Sequence, residues 1–166
     1  MGMIYVEVTS DPIAADRVLN LLNYPAHGAH NLFLGVVRDH HLGKKVLGVS
    51  YDIFEPLAEV VFKNLCGEAQ QKWGSDLSCV MIHRTGRLGI GEASVAIAVA
   101  SVHRAECYAA SRYLIDELKM RAPIWKQEHY EEGESAWLSG HALCGHIESS
   151  GESLQNKFTP DSGPQA

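Results

Sequence analysis

The stretch from Ala93 to Tyr130 restricts the fold more than any other part of the chain. An apolar run, Ala93–Ala100, passes through Ser101-Val102-His103-Arg104 into residues with helical spacing that continue to Arg121 and stop before Pro123. Proline disfavours α geometry in the residue before it, so this pattern predicts a strand over 93–100, a helix over 102–121 and an extended segment over 123–130. Upstream, Leu77–His83 reads as a strand, separated from the 93–100 strand by a glycine-punctuated turn and expected to lie antiparallel to it. Strands and helices alternate but are joined partly by hairpins. That points to an α+β or mixed α/β domain rather than a doubly wound parallel sheet.

The N-terminal half adds two further units. Ile4–Val8 reads as a short strand, and Ser10-Asp11-Pro12 offers a cap and a first-turn proline for a helix through about Leu22. Asn31–Val37 is apolar enough for a buried strand and a second follows over Val46–Phe54; the pair is predicted to form a hairpin with a charged tip. Glu55-Pro56 opens a helix to about Trp73, with Leu57, Val60, Val61, Asn64, Leu65 and Ala69 near helical spacing and Gly74-Ser75 ending it. A chain of 166 residues supports one domain, assigned to 1–145, and the Gly-, Ser- and Gln-rich segment 146–166 is expected to be a disordered tail.

Charge and cysteine usage remove several function classes. With 14 Lys+Arg against 20 Asp+Glu the net charge is −6, which argues against a general nucleic-acid binder. No run approaches the ~18–20 apolar residues of a membrane span, and the start lacks a secretory leader, so a cytoplasmic protein is expected. Cys66, Cys79, Cys107 and Cys144 form no C-x-x-C pair and read as reduced, packing thiols. His27, His30, His40 and His41 match no zinc spacing, and Gly86, Gly89 and Gly91 read as turn formers rather than a nucleotide loop. No metal and no cofactor is expected.

Three cationic segments remain as candidates. Ser101-Val102-His103-Arg104 lies where a helix N-terminus favours anions; the bland alternative pairs Arg104 with Glu106 or Asp116. Lys119 falls beside Tyr108 and Ile115 at the border of the apolar face. There it is either a partly desolvated amine able to act as nucleophile, base or anion holder, or a snorkelling lysine at a helix end. Arg38 follows the apolar 31–37 strand, and Lys126 lies just past Pro123. Arg104 and Lys119 are separated by about 22 Å on one continuous helix at 1.5 Å per residue. A small substrate meets both only if the helix breaks or a second subunit supplies one end, so a symmetric dimer with a shared pocket is predicted.

Read together, Phe33-Leu34-Gly35-Val36-Val37-Arg38-Asp39-His40, Tyr51-x-x-Phe54-x-Pro56-Leu57-Ala58-Glu59, His83-Arg84-x-Gly86, Ser101-Val102-His103-Arg104 and Leu118-Lys119…Ala122-Pro123-Ile124-Trp125-Lys126-x-Glu128 resemble the catalytic (large) subunit family of molybdopterin synthase. The resemblance runs in order from about Ala29 to Trp137. It implies an α/β hammerhead-type fold with an additional antiparallel β subdomain, and a homodimer in which each subunit binds a small ubiquitin-like sulfur-carrier subunit, giving a heterotetramer. It implies sulfurtransferase activity, in which the carrier's C-terminal Gly-Gly thiocarboxylate delivers sulfur to cyclic pyranopterin monophosphate to form the dithiolene of molybdopterin.

Residue by residue, the resemblance makes Lys119 the principal catalytic lysine and Lys126 a second one. Val36, Val37, Arg38, His103, Arg104, Gln127 and Glu128 join them in lining the substrate pocket, with His103-Arg104 supplied by the second subunit. After Trp137 a further basic residue is usual, whereas Leu138-Ser139-Gly140-His141 stands here, leaving His141 as a possible substitute. A different class of function keeps the same fold: a non-catalytic module that binds a ubiquitin-like protein tail.

Overall fold

The computed structural model describes residues 1–135 and 137–138. Twelve elements follow one another as β1 (Ile4–Thr9), α1 (Ala15–Asn20), β2 (Ala29–Val36), β3 (His40–His41), β4 (Lys44–Ile53), α2 (Glu55–Trp73), β5 (Ser78–Arg84), β6 (Gly86–Leu88), β7 (Ala93–Ser101), α3 (Arg104–Arg121), β8 (Ile124–Tyr130) and β9 (Trp137–Leu138). They build two sheets, so the fold is mixed α/β, as expected. The first sheet has the order β1-β5-β7-β2, with β1 parallel to β5 and the other pairings antiparallel. The second runs β3-β4-β8-β9, with β6 also paired to β4.

Period-two alternation explains why the first sheet is covered on both faces. Cys79 and Met81 of β5 and Val95, Ile97 and Val99 of β7 point to α2 and α3, where Phe62, Leu65, Leu114 and Leu118 complete the main core. Val80, Ile82, Ala96, Ala98 and Ala100 point the other way and meet Val18 and Leu22 around α1. Small alanines on that face let a helix of only six residues sit close to the sheet.

Four readings from the sequence change. The predicted hairpin between the 31–37 and 46–54 strands does not form. β2 crosses to pair with β7, placing Leu32 and Leu34 in the second core, while Val46 and Val49 of β4 join a third core with Val37 and Leu88. The local hairpin is β3–β4, turned by Leu42 (φ 48) and Gly43 (φ 75), the left-handed pair that a two-residue loop needs. In α1 the N-cap is Ala14 rather than the Ser10–Pro12 segment, and in α3 it is His103, two residues later than predicted. In α2 the buried stripe is Ala58, Phe62, Leu65, Cys66 and Ala69; Leu57 and Val60 are about half exposed. The segment between β5 and β7 is also not a plain turn, because β6 docks on β4 within it.

That joint couples the two sheets. The Thr85 hydroxyl donates to the Tyr51 carbonyl at 3.2 Å, and its backbone N–H donates to Thr9 at 2.9 Å. The buried Arg84 reaches Glu92 at 3.1 Å and the Ser10 carbonyl at 3.3 Å. The tail 146–166, Cys144 and His141 lie outside the described residues.

Candidate active site

The second sheet carries the best-defined polar constellation. Lys126, Glu128 and Tyr130 alternate along β8 and so share one face, opposite Tyr51, Val49 and Val46 of β4. Lys126 Nζ lies 2.5 Å from Glu128 Oε1, and the Tyr130 hydroxyl donates to Glu128 Oε2 at 2.6 Å. His41 Nδ1 approaches the same Oε1 at 3.9 Å. Glu128 is only 5% exposed. Burial pushes its carboxyl up, but the hydrogen bonds from Lys126 and Tyr130, with the charges of Lys126 and His41, outweigh burial and hold it below the usual carboxylate range. Burial and the Glu128 charge together push the Tyr130 hydroxyl up to about 12, so it remains a donor at neutral pH.

Arg38 belongs to the loop that closes over this sheet. Val37 before it is buried with Val46, Val49 and Leu88, and the Val46 amide donates to Asp39 after it at 2.8 Å. The structure therefore brings the Val36-Val37-Arg38 segment to the sheet that holds Lys126 and Glu128. Val36 and Arg38 are exposed, whereas Val37 is a packing residue. Gln127 projects to the opposite face of β8, where it reaches the Ser135 carbonyl at 3.5 Å, and is not part of the Lys126–Glu128 group.

Lys119 lies in the last turn of α3, joined to β8 through Ala122-Pro123. It is partly buried next to the buried Ile115, as its place on the helix border requires, and it has no hydrogen-bonding or ionic partner among the described residues. The same helix end is fixed to α2. Arg121 binds Glu68 through both nitrogens at 2.8 and 2.9 Å, and Tyr113 donates to Glu68 as well. Hydrogen bonds from Arg121 and then Tyr113 hold the Glu68 carboxyl down at about 2.

His103 and Arg104 sit at the far end of α3, which runs without a break from Arg104 to Arg121. Neither expected partner takes Arg104: Asp116 pairs with Arg112 at 2.6 Å, and Arg104 has no ion pair among the described residues. Both residues are exposed. A cavity of about 280 Å³ opens beside them, lined by Trp73, Asp76, Ser101, Val102, His103 and Glu106. Its two carboxylates make it no anion pocket within one chain. Within one chain, Lys119 lies at the end of α3 that leads through Ala122-Pro123 into the strand carrying Lys126 and Glu128, and His103-Arg104 lie at its other end.

The cysteines take no part. Cys66, Cys79 and Cys107 are free and buried; the Cys79 thiol and burial push the Cys66 thiol up, and burial does the same for Cys107. Among the described residues no group of three or more His, Cys, Asp or Glu side chains could hold a metal ion. No described helix is long and apolar enough to cross a membrane. Sequence reasoning missed Tyr130 and His41. The signal for Tyr130 was the Lys-x-Glu-x-Tyr alternation on a strand, whereas His41 arrives through a hairpin that no local pattern reveals.

Comparison with known proteins decides the family. The family model described as MoaE protein matches residues 8–121. The chain belongs to the MoaE family. It is 40% identical over 139 residues to the molybdopterin synthase catalytic subunit of Synechococcus elongatus, covering 84% of each chain. It is 42% identical over 132 residues to that of Bos taurus, covering 80% of this chain and 69% of the relative. Its fold superposes on the crystal structure of molybdopterin synthase from Staphylococcus aureus with a TM-score of 0.76 at 33% identity, over 80% of this chain and 96% of that one.

Proposed function

We propose that this MoaE-family chain is the catalytic subunit of a molybdopterin synthase, a sulfurtransferase of molybdenum cofactor biosynthesis acting in the cytoplasm. The observation that carries the reading is the pair of lysines flanking the α3–β8 turn. Lys119 is partly desolvated with no anionic partner among the described residues, while Lys126 is held on a buried carboxylate. One amine is thus available to an incoming acyl group and the other is fixed in place.

The sulfur comes from outside, because the described thiols are buried. A small ubiquitin-like carrier presents its C-terminal Gly-Gly thiocarboxylate to this end of α3. A carbon–sulfur bond forms on cyclic pyranopterin monophosphate as a carbon–oxygen bond of the same carbon breaks, its oxygen leaving with the opened phosphate ester or as water; the bond between sulfur and the carrier's acyl carbon breaks, and water supplies the oxygen that returns the carrier as a carboxylate. Two such transfers complete the dithiolene. Lys119 positions, polarises or transiently accepts the acyl carbon; Lys126, Arg38 and the exposed Val36 face the substrate, and Glu128 orients Lys126. Val37 supports the loop from beneath, and Gln127 is held on the other face of β8 by the Ser135 carbonyl.

The phosphate needs forked donors; Arg121 at this helix end is taken up by Glu68, which leaves Arg38 to this chain. The unbroken α3 places Arg104 about 22 Å from Lys119, so His103 and Arg104 of a second copy complete the pocket. The working assembly is a homodimer carrying two carriers. The test is dithiolene formation from purified chain, thiocarboxylated carrier and cyclic pyranopterin monophosphate. Lys119→Ala is expected to abolish product while retaining carrier binding. A stable carrier complex with no product from the unsubstituted chain would overturn the catalytic reading in favour of a module that only binds the carrier's tail.

A further inference from the structure

We infer that Tyr130 is a positioning residue for Lys126, acting through the Glu128 carboxylate that binds both. Its catalytic consequence rests on the sulfur-transfer reading, but the link itself is a matter of geometry. A carboxylate buried to this degree persists in a fold only when its lone pairs are satisfied. Here each oxygen has its own donor, Lys126 on Oε1 at 2.5 Å and Tyr130 on Oε2 at 2.6 Å. With only one donor the carboxylate would be free to turn about its last bond, and the ammonium it carries would move with it. With both, its plane is fixed.

The surroundings leave this task to the hydroxyl. The Tyr130 ring packs against the core formed by Val37, Val46, Val49 and Leu88, with Lys44 Nζ 5.4 Å from its centroid. Both contacts survive loss of the oxygen. The charged or titratable groups that act on Glu128 from the packed elements are His41 from β3 and Lys126 and Tyr130 from β8; Lys44 of β4 lies over the Tyr130 ring, and Tyr51 of β4 is opposite Lys126. Of these, only Lys126 and Tyr130 lie within hydrogen-bonding distance. Lys126 is itself only 22% exposed, so a small turn of Glu128 redirects its amine relative to the open face.

Tyr130→Phe in the full chain separates this role from packing. Carbon-13 NMR of the glutamate carboxyls, with Glu128→Gln to assign the resonance, reads the first link. The Glu128 midpoint should rise by about one pH unit in Tyr130→Phe, a tenfold change in its protonation equilibrium. Turnover at pH 7.5 with thiocarboxylated carrier and cyclic pyranopterin monophosphate reads the second. There kcat should fall about fivefold while KM stays within about twofold, the pattern of a misplaced group rather than lost binding. An unmoved Glu128 midpoint overturns the inference, and so does a moved midpoint with unchanged kcat. If the unsubstituted chain makes no product, the sulfur-transfer reading fails by itself, and the NMR midpoint still decides whether Tyr130 governs Glu128.

Discussion

Replacing Glu68 by Gln should loosen the end of α3 that carries Lys119. Glu68 on α2 accepts two hydrogen bonds from Arg121, at 2.8 and 2.9 Å, and one from Tyr113, so two side chains of α3 converge on one carboxylate through three hydrogen bonds. Arg121 also reaches Glu117 at 3.4 Å, which brackets Lys119 between two members of the network. The carboxyl is held at about 2 against an ordinary 4.5. For a fully buried group that displacement corresponds to roughly 3 kcal/mol. The Glu68 and Arg121 side chains are 35% and 39% exposed, so solvent screening reduces the expected contribution to about 1–2 kcal/mol.

The pH dependence has a definite sign. A carboxyl depressed in the folded state contributes fully above its unfolded value of about 4.5 and loses that contribution as pH falls toward about 2. Urea unfolding at fixed protein concentration should therefore show Glu68→Gln less stable than the unsubstituted chain by about 1–2 kcal/mol at pH 7. The gap should close progressively below pH 4.5. Equal stabilities at pH 7, or a gap that stays constant down to pH 2.5, would refute the assignment of a charged clamp.

Two further outcomes follow from the same structure. His83 is buried against Tyr51, and burial pulls its ring down to about 4, partly opposed by its bond to the Arg84 carbonyl. The unfolded chain then binds the extra proton first, so stability should fall by up to roughly 3 kcal/mol between pH 6.5 and 4; His83→Gln should flatten that slope, and an unchanged slope would assign it elsewhere. Mixing an Arg104→Ala chain with a Lys119→Ala chain, each inactive alone, should restore activity through mixed dimers that contain one intact pocket. No recovery in demonstrably mixed dimers would mean that the pocket is not shared between copies.

Both ends of α2 and the end of α3 were legible because they are marked locally, by Glu55-Pro56 and Gly74 for α2 and by Pro123 for α3, whereas the starts of α1 and α3 were not. Pairing between distant strands was not. Nothing near Asn31–Val37 says that its partner is the strand some sixty residues on rather than the one just after it, and the choice is made by which core its leucines fill. The rotation of α2 was hidden for a related reason. Leu57 and Val60 are as apolar as Phe62 and Leu65, so composition alone did not select the buried stripe. At the site, Arg38 was legible as a cation following an apolar strand, Lys119 from its place at the border of an apolar helix face, and Lys126 from its place just past Pro123. Gln127 enters the site only through the family resemblance, and strand alternation turns its side chain to the face opposite Lys126. The separation of Arg104 from Lys119 was readable from helix length alone, and the continuous α3 bears it out.

The most direct measurement follows the sulfur. Intact-mass analysis of the thiocarboxylated carrier, incubated with this chain and cyclic pyranopterin monophosphate, reports both halves of the exchange. Each dithiolene formed should be accompanied by two carriers in which one sulfur has been replaced by one oxygen, with no sulfur retained on this chain. Dithiolene appearing while the carrier keeps its sulfur, or carrier hydrolysis with no sulfur on the pterin, would contradict sulfur transfer at the α3–β8 junction.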